Sequence, residues 1–239
     1  MEYSLQEYYS AIEENIKTVR SNIAESAIKA GRDPADVRLM AVTKTVDINR
    51  INHALAQGID LIGENRVQEL LEKNDGFVPS DVEKHLIGHL QSNKVAKILP
   101  FVSLIESADS VGICAEISKR AAAIGKTQDV LIELNIAGEE SKTGLQPEML
   151  DDLLAEVSRM SNIRVRGIMG VPPICDDEIT ARRYFSKLHQ IFVDKSSQKT
   201  DNIRMEILSM GMSGDYAWAV AEGATEVRVG SAIFGIRRY

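Results

Sequence analysis

The chain has 239 residues, which is enough to bury a sizeable core in one domain. Hydrophobic residues make up 44% of it and charged residues 26%, proportions that exclude a disordered protein. The formal charge of −7 argues against a nucleic-acid partner, because phosphate backbones select basic surfaces.

The first predicted element is a long amphipathic helix within residues 1–31. Ser4 and Glu7 have the spacing of a capping box, in which each side chain reaches the backbone N–H of the other. Gly31 and Pro34 predict its end. An apolar residue recurs every three or four positions, so one face of this helix is expected to pack on the rest of the domain. The apolar positions are Leu5, Tyr8, Ile12, Ile16, Val19, Ile23 and Ala27.

Short apolar segments then alternate with segments of helical periodicity. Strands are predicted at 37–43, 61–63, 85–88, 102–105, 130–136, 165–169, 205–208 and 226–229. Helices are predicted at 47–57, from 66 onward, through 95–98, and at 110–124, 147–160, 177–193 and 216–221.

This alternation predicts a parallel sheet, because each crossover between parallel strands needs a helix. Eight such units can close into a barrel. The alternative is an open doubly wound sheet, but no G-x-G-x-x-G follows the first strand. We therefore predict an α/β fold, a single (β/α)8 TIM barrel domain over residues 1–239 with an extra N-terminal helix packed on it.

Other features bound the location and the ligands. No apolar run approaches the roughly 18 residues that cross a bilayer, and the first residues lack the pattern of a signal peptide. Cys114 and Cys175 have no metal-ligand spacing and make no disulfide framework. We expect a cytoplasmic protein with reduced thiols, no membrane partner and no metal.

Polar residues stand where the predicted strands end, which is where barrel enzymes carry their chemistry. Lys44 ends the first strand, Asn65 follows the second, His89 the third and Asn135 the fifth. A lysine at the mouth of a filled barrel is partly stripped of water, which favours the neutral amine that attacks an aldehyde. The alternative is a lysine whose ammonium simply reaches solvent.

Residues 230–235, Gly-Ser-Ala-Ile-Phe-Gly, follow the last strand and predict a phosphate-binding turn. Small residues let backbone N–H groups approach an anion closely, and the final two strand loops of barrels often bind phosphate. Gly211 and Ser213 would form the other wall. A glycine-containing turn needs no ligand, so an ordinary turn is the alternative.

Arg228 lies two residues before Gly230, so both should face the barrel interior. A buried guanidinium needs a partner. A ring nitrogen or a carboxylate of a ligand would serve, and an ion pair with a nearby residue such as Glu226 is the alternative.

Together these segments resemble the family of pyridoxal phosphate homeostasis proteins, which are alanine-racemase-like barrels of fold type III that bind pyridoxal 5′-phosphate (PLP). The resemblance runs from about Val37 to Arg238 and rests on long motifs in order. These are 41–45 AVTKT, 63–69 GENRVQE, 85–94 HLIGHLQSNK, 138–144 GEESKTG, 208–213 LSMGMS and 227–235 VRVGSAIFG. Thr43, Lys84 and Gly214 depart from the usual residues of the family, and none is a proposed cofactor contact.

The resemblance implies a site for PLP. Lys44 would hold the cofactor as a Schiff base, and Arg228 would meet its pyridine nitrogen. Asn65 is expected near the ring. The phosphate would be held by Ser209, Met210, Gly230 and Ser231.

The resemblance also implies a function. A cation at the pyridine nitrogen keeps it unprotonated and weakens the ring as an electron sink. Related racemases take a second base from a separate β-domain, and no such domain follows in this sequence. We expect a non-catalytic PLP-binding protein, a monomer active in PLP homeostasis and supply, with PLP-dependent apoenzymes as candidate recipients. The alternatives are a weak amino-acid racemase, using Lys44 alone or with His89, and a barrel that binds a sugar phosphate.

Overall fold

Eight parallel strands form a closed barrel in the computed structural model, which describes residues 5–139, 142–175, 177–197 and 200–235. The strands follow one another around the barrel in chain order. They are β1 Arg38–Val42, β2 Leu61–Glu64, β3 Glu83–Leu86, β4 Leu104–Ala108, β5 Gln128–Leu134, β6 Ile163–Gly170, β7 Ile203–Met212 and β8 Glu226–Val229.

Pairing of β8 with β1 closes the barrel, with Met40 beside Arg228 in register. The predicted (β/α)8 barrel is therefore confirmed, and the open sheet is excluded. Helices lie outside the strands. They are α1 Leu5–Lys29, α2 Ile48–Ala56, α3 Val67–Lys73, α4 Val95–Ile98, α5 Val111–Ala123, α6 Leu150–Val157, α7 Glu178–Ser196, α8 Tyr216–Ala221 and α9 Ser231–Phe234. No helix in the described ranges combines the length and apolarity that crossing a membrane requires.

Five strands, β3 to β7, differ from their predicted bounds by two residues or more at one end at least. The third strand begins at Glu83 and ends at Leu86, and the fourth extends to Ala108 through Glu106 and Ser107. The prediction ended the fourth strand just before Glu106, its first charged residue. Here the charged side chain of Glu106 has a buried partner in His85, so the strand continues.

The helix α1 packs on the barrel beside α8 and α9, with the side chains of Ile12, Ile16, Val19 and Ile23 buried. Its side chains also bond to those elements: Asn15 donates to the carbonyl of Ile233, and Asn22 to the hydroxyl of Tyr216. The helix ends before Gly31, whose φ of 73° is the left-handed conformation that favours glycine. Ser4 of the predicted capping box lies outside the described residues.

The apolar core has two parts. Most buried apolar side chains lie in one cluster to which both the strands and the surrounding helices contribute. Inside the barrel, the described apolar side chains form small clusters, such as that of Met40 with Val42 and Leu61. Charged side chains fill much of the remaining interior, among them Glu106, Glu226 and Arg228, each at most 4% exposed. Charged side chains therefore interact with one another inside the barrel, away from solvent.

Candidate functional site

The carboxyl ends of parallel strands meet at one mouth of a barrel, so closure brings the predicted site residues to one rim. Lys44 and Asn65 follow β1 and β2, and Gly230 and Ser231 follow β8. Near the carboxyl ends of the last two strands lie Ser209 and Met210, in β7, and Arg228, in β8. Arg228 and Ser209 are in direct contact, as described below.

Lys44 is half-buried, two residues beyond the end of β1. Within the described ranges, its ammonium group has neither a hydrogen bond nor an ion pair, whereas its flanking residues are firmly held. Thr43 is fully buried and donates its hydroxyl to Glu64 at 2.6 Å. The N–H of Thr45 donates to Glu69, and its φ of 59° is a left-handed conformation. A fixed backbone thus presents an unengaged amine at the mouth.

Lys73 of α3 completes this support. Its ammonium donates to the carbonyl of Thr43 at 2.9 Å, to Glu64 at 2.8 Å and to Glu69 at 2.7 Å. Burial raises the pKa of Glu64, and the hydrogen bonds from Lys73 and Thr43 offset this only in part. Burial acts the same way on Glu69, but bonds from Lys73 and the Thr45 N–H outweigh it and lower its pKa. We call Lys73, Glu64 and Glu69 the Lys44 brace.

Asn65 lies where the loops after β2 and β3 touch. A Cβ atom added to Gly88 would come within 2.1 Å of the Asn65 carbonyl oxygen, so glycine is required for this approach. The side-chain oxygen Oδ1 of Asn65 is buried without a hydrogen-bond partner in the described part of the chain. A buried acceptor of this kind costs free energy unless a ligand satisfies it. Its position beside Lys44 in the barrel order fits a bound cofactor.

The loops after β7 and β8 meet around one acceptor. The hydroxyl oxygen of Ser213 accepts hydrogen bonds from the N–H groups of Gly230, at 3.0 Å, and Ala232, at 3.2 Å. These two amides therefore converge on one oxygen atom, that of Ser213, and a phosphate oxygen would have to take its place to bind both amides. Gly211 has a φ of 91°, and a Cβ there would lie 2.5 Å from that of Ala219. The turn thus depends on glycine.

The residues predicted to bind phosphate differ in which of their groups can reach the mouth of the barrel. Ser231 is exposed and Gly230 is buried at the start of α9. The side chain of Met210 is fully buried in the main apolar cluster, so only its backbone is available to a phosphate. The hydroxyl of Ser209 points the other way, into the barrel, where it contacts Arg228 and Glu106. Alternation of side chains along β7 explains this difference.

Arg228 is 4% exposed and faces the barrel interior, as expected. Its Nη1 donates to the hydroxyl of Ser209 at 2.6 Å, and its Nη2 to the carbonyl of Gly170 at 2.9 Å. Glu226, offered above as an ion-pair partner for Arg228, lies instead beside His85, with Oε1 3.7 Å from Nδ1. The nearest carboxylate oxygen to Arg228 belongs to Glu106, at 4.0 Å.

Buried carboxylates and one histidine fill the interior below Arg228. Nearby carboxylates raise the pKa of His85 well above its usual range, although burial alone would lower it. Burial, and then repulsion from Glu106, raise the pKa of Glu226 to about 7. Burial opposes the charged form of Glu106 too, but the hydrogen bond and charge of His85 hold its pKa below the usual value.

Two further polar residues at the mouth have different surroundings. His89 is half-exposed, with Nδ1 3.4 Å from Asp109, so it is open to solvent and to a ligand. The side chain of Asn135 bonds to the backbone of Glu139 as both donor and acceptor. Asn135 therefore shapes its own loop.

Sequence reasoning missed Lys73 and Glu69 of the Lys44 brace and the buried acid Glu106, and it gave Glu226 only as a partner for Arg228. For the acids a signal exists, because a charged residue inside a buried strand must have a partner. For Lys73 the only signal is its spacing of four residues from Glu69 on one helix.

Known proteins are similar to this chain over nearly its whole length. The sequence matches the family "Alanine racemase, N-terminal domain" over residues 9–238. It is 39% identical to the pyridoxal phosphate homeostasis protein of Aquifex aeolicus, covering 95% of this chain and 98% of the relative.

Two solved structures have the same fold. A protein from Bifidobacterium adolescentis superposes with a TM-score of 0.90 at 38% identity, covering 98% of each chain. PipY of Synechococcus elongatus, solved with PLP bound, superposes with a TM-score of 0.82 at 31% identity, covering 94% of this chain and 100% of PipY. The chain therefore belongs to the alanine racemase N-terminal domain family and, within it, to the pyridoxal phosphate homeostasis proteins.

Proposed function

We propose that this protein binds PLP through a covalent bond to Lys44 and acts in the homeostasis and supply of that cofactor. The observation that carries the proposal is the unengaged amine of Lys44 on a backbone held by the Lys44 brace. The names of its relatives and the PLP in PipY support it.

The residues at the mouth fit each part of the cofactor. Lys44 would hold the cofactor, because its amine can condense with the aldehyde carbon to form a C=N bond with loss of one water molecule. The amides of Gly230 and Ala232, which already converge on the Ser213 oxygen, suit a phosphate oxygen. Ser209, Met210 and Ser231 border the same loops. The buried Oδ1 of Asn65 suits a donor on the ligand.

Arg228 favours a binding role over strong carbanion chemistry. When bound, PLP supplies an electron sink whose strength depends on protonation of its ring nitrogen. Beside a guanidinium, which stays charged at all ordinary pH values, that nitrogen stays unprotonated. We therefore propose a non-catalytic protein. A weak racemase that uses Lys44 and His89 remains the second candidate, because His89 is half-exposed at the mouth and paired with Asp109.

Three further features belong to the proposal. We propose that the protein is a monomer, that it works in the cytoplasm, and that PLP-dependent apoenzymes receive its cofactor. Light scattering of the purified protein tests the first. Transfer of PLP to an apoenzyme, followed by recovery of that enzyme's activity, tests the third.

The central test is the visible absorption spectrum of the purified protein with PLP, before and after borohydride. We expect a yellow band that borohydride abolishes, with a pyridoxyl mass adduct on Lys44. Lys44→Ala should lack both the band and the adduct. Lys94→Ala, at a half-buried lysine in the loops beyond β3, is the matched control and should retain them. A wild-type protein that stays colourless with PLP would overturn the proposal.

The choice between carrier and racemase needs a separate measurement. The PLP-loaded protein should leave a broad panel of L-amino acids unchanged when the products are resolved by chiral chromatography. Formation of D-amino acids that His89→Ala abolishes would instead establish the racemase.

A further inference from the structure

One continuous chain of hydrogen bonds runs through the barrel from Arg228 toward the opposite end. Arg228 donates to Ser209 at 2.6 Å, and the Ser209 hydroxyl donates to Oε2 of Glu106 at 2.6 Å. The other oxygen of Glu106 lies 2.7 Å from Nδ1 of His85. Nε2 of His85 lies 3.0 Å from Glu83, an acid that also bonds to Arg38. Residues from β8, β7, β4, β3 and β1 thus form a single path.

We propose that Ser209, Glu106 and His85 are positioning residues, which act through Arg228 to keep the ring nitrogen of bound PLP unprotonated. This inference rests on the proposed function, because it requires PLP in the site with its nitrogen at Arg228. It gives the hydroxyl of Ser209 a role other than phosphate binding.

The directions of the two hydrogen bonds at Ser209 are determined. A serine hydroxyl has one proton, and Ser209 gives it to the Glu106 carboxylate. Its oxygen is then an acceptor, and the guanidinium of Arg228 donates to it. With Nη2 bound to the Gly170 carbonyl, two of the five N–H donors of the guanidinium are anchored. The guanidinium plane is therefore fixed, and the remaining donors are available to a ligand.

Alternating charges stabilise these hydrogen-bond directions along the path. The cations Arg38, His85 and Arg228 alternate with the acids Glu83 and Glu106 along the path, and Glu226 lies beside it. His85 holds Glu106 as a carboxylate at a position that is completely buried. A neutral group in place of Glu106 would no longer require the Ser209 proton, and Ser209 would be free to turn its proton toward another acceptor.

The cluster has another possible use, as a metal site. The ligand atoms of His85, Glu106 and Glu226 lie within 4.8 Å of one another. However, His85 and Ser209 already occupy both oxygens of Glu106 with hydrogen bonds. The geometry therefore favours the positioning role.

The test uses PLP labelled with ¹⁵N in its ring, bound to the full chain, and follows the ring-nitrogen chemical shift by NMR. In wild-type protein we expect an unprotonated nitrogen from mildly acidic to mildly alkaline pH. In Ser209→Ala and in Glu106→Gln the nitrogen should titrate within that range. The dissociation constant for PLP should rise about tenfold, as expected for loss of a hydrogen bond to a charged group.

Ser107→Ala is the matched control. Ser107 is a buried serine next to Glu106 on β4, and its hydroxyl donates to the Gly88 carbonyl, outside the chain. This variant should keep the wild-type ¹⁵N shift at every pH. A loss of stability comparable to that of Ser209→Ala would then separate positioning from general packing.

Each outcome decides the question. If folded Ser209→Ala and Glu106→Gln both keep the wild-type shift and affinity, the inference is wrong while the proposed function stands. Should wild-type protein fail to bind the labelled PLP, the proposed function itself is wrong. If one variant fails to fold, the other variant tests the inference. If neither folds, the hydrogen-bonded path serves stability alone and the inference is wrong.

Discussion

The ammonium group of Lys73 donates a hydrogen bond to the carbonyl oxygen of Thr43 at 2.9 Å, although the two residues lie 30 positions apart. Thr43 immediately precedes Lys44, so a helix outside the barrel determines where the end of β1 lies. The same ammonium group neutralises Glu64, which is completely buried and bonded to the Thr43 hydroxyl. Thr43 supplies the hydroxyl that this bond requires.

Replacing Lys73 by methionine should destabilise the protein and impair the site. Glu64 would keep a buried charge without its cation, which costs about 3 kcal/mol in the free energy of unfolding. Urea unfolding measures this loss, and the rate of PLP attachment should fall with it. Lys17→Met is the control, because Lys17 and Glu14 form an ion pair on the exposed surface, where solvent screens the two charges. Equal effects of the two substitutions would contradict the brace.

Gly88→Ala should disturb Asn65 directly. The added Cβ would lie 2.1 Å from the Asn65 carbonyl oxygen, so the loops after β2 and β3 must separate. We expect a loss of about 1–3 kcal/mol in stability and weaker binding of PLP, measured by thermal unfolding and by titration. Gly112→Ala is the control, because its Cβ would meet open space. That substitution should change stability by no more than about 1 kcal/mol and leave PLP affinity unchanged.

Asn15→Ala tests whether the N-terminal helix supports the phosphate turn. Its side chain donates to the carbonyl of Ile233 at 2.9 Å, in the short helix that follows Gly230. Loss of this bond should cost about 1 kcal/mol and weaken PLP binding. Asn202→Ala serves as the comparison, because Asn202 also bonds to backbone carbonyls, but before the start of β7. It should lose stability with no change in PLP affinity; a parallel loss of affinity in both variants would refute a specific role for Asn15.

The stability of the protein should depend on pH through Glu226. Burial and the neighbouring Glu106 raise the pKa of Glu226 from 4.5 to about 7. The folded protein thus binds this proton more tightly than the unfolded chain. Its contribution to stability is fully present below about pH 4.5 and is lost as the pH rises to about 7.

Glu226→Gln should remove that dependence. Between those pH values the variant should gain on wild type by on the order of 3 kcal/mol, because one pKa unit corresponds to about 1.4 kcal/mol. His85, Glu106 and Arg38 also act on this carboxyl, so the variant must be compared with wild type at each pH. Urea unfolding across the range measures the difference. Glu14→Gln, at an exposed side chain, should show no trend. A constant difference for Glu226→Gln would show that its carboxyl stays ionised.

Much of the fold was predictable because it depends on local patterns. The apolar periodicity of α1 and the alternation of strands with helices reflect which side of each element faces the core, and this predicted eight strands and a closed barrel. The positions of Lys44, Asn65 and Gly230 at strand ends were equally local. Strand bounds near Glu106 were less accurate, because a charged residue in a strand is tolerated only when a partner from elsewhere reaches it.

Those partners could not be predicted from sequence. Ser209 and Glu106 are 103 positions apart, and their contact exists only because closure of the barrel turns both side chains inward. The same holds for Lys73 beside Thr43 and for Ser213 between the amides of Gly230 and Ala232. The sequence alone determined which residues reach the mouth, since that follows from the local period. Only the tertiary structure decided which atoms they bond to, because hydrogen bonds depend on ångström-scale distances that barrel closure and strand register set.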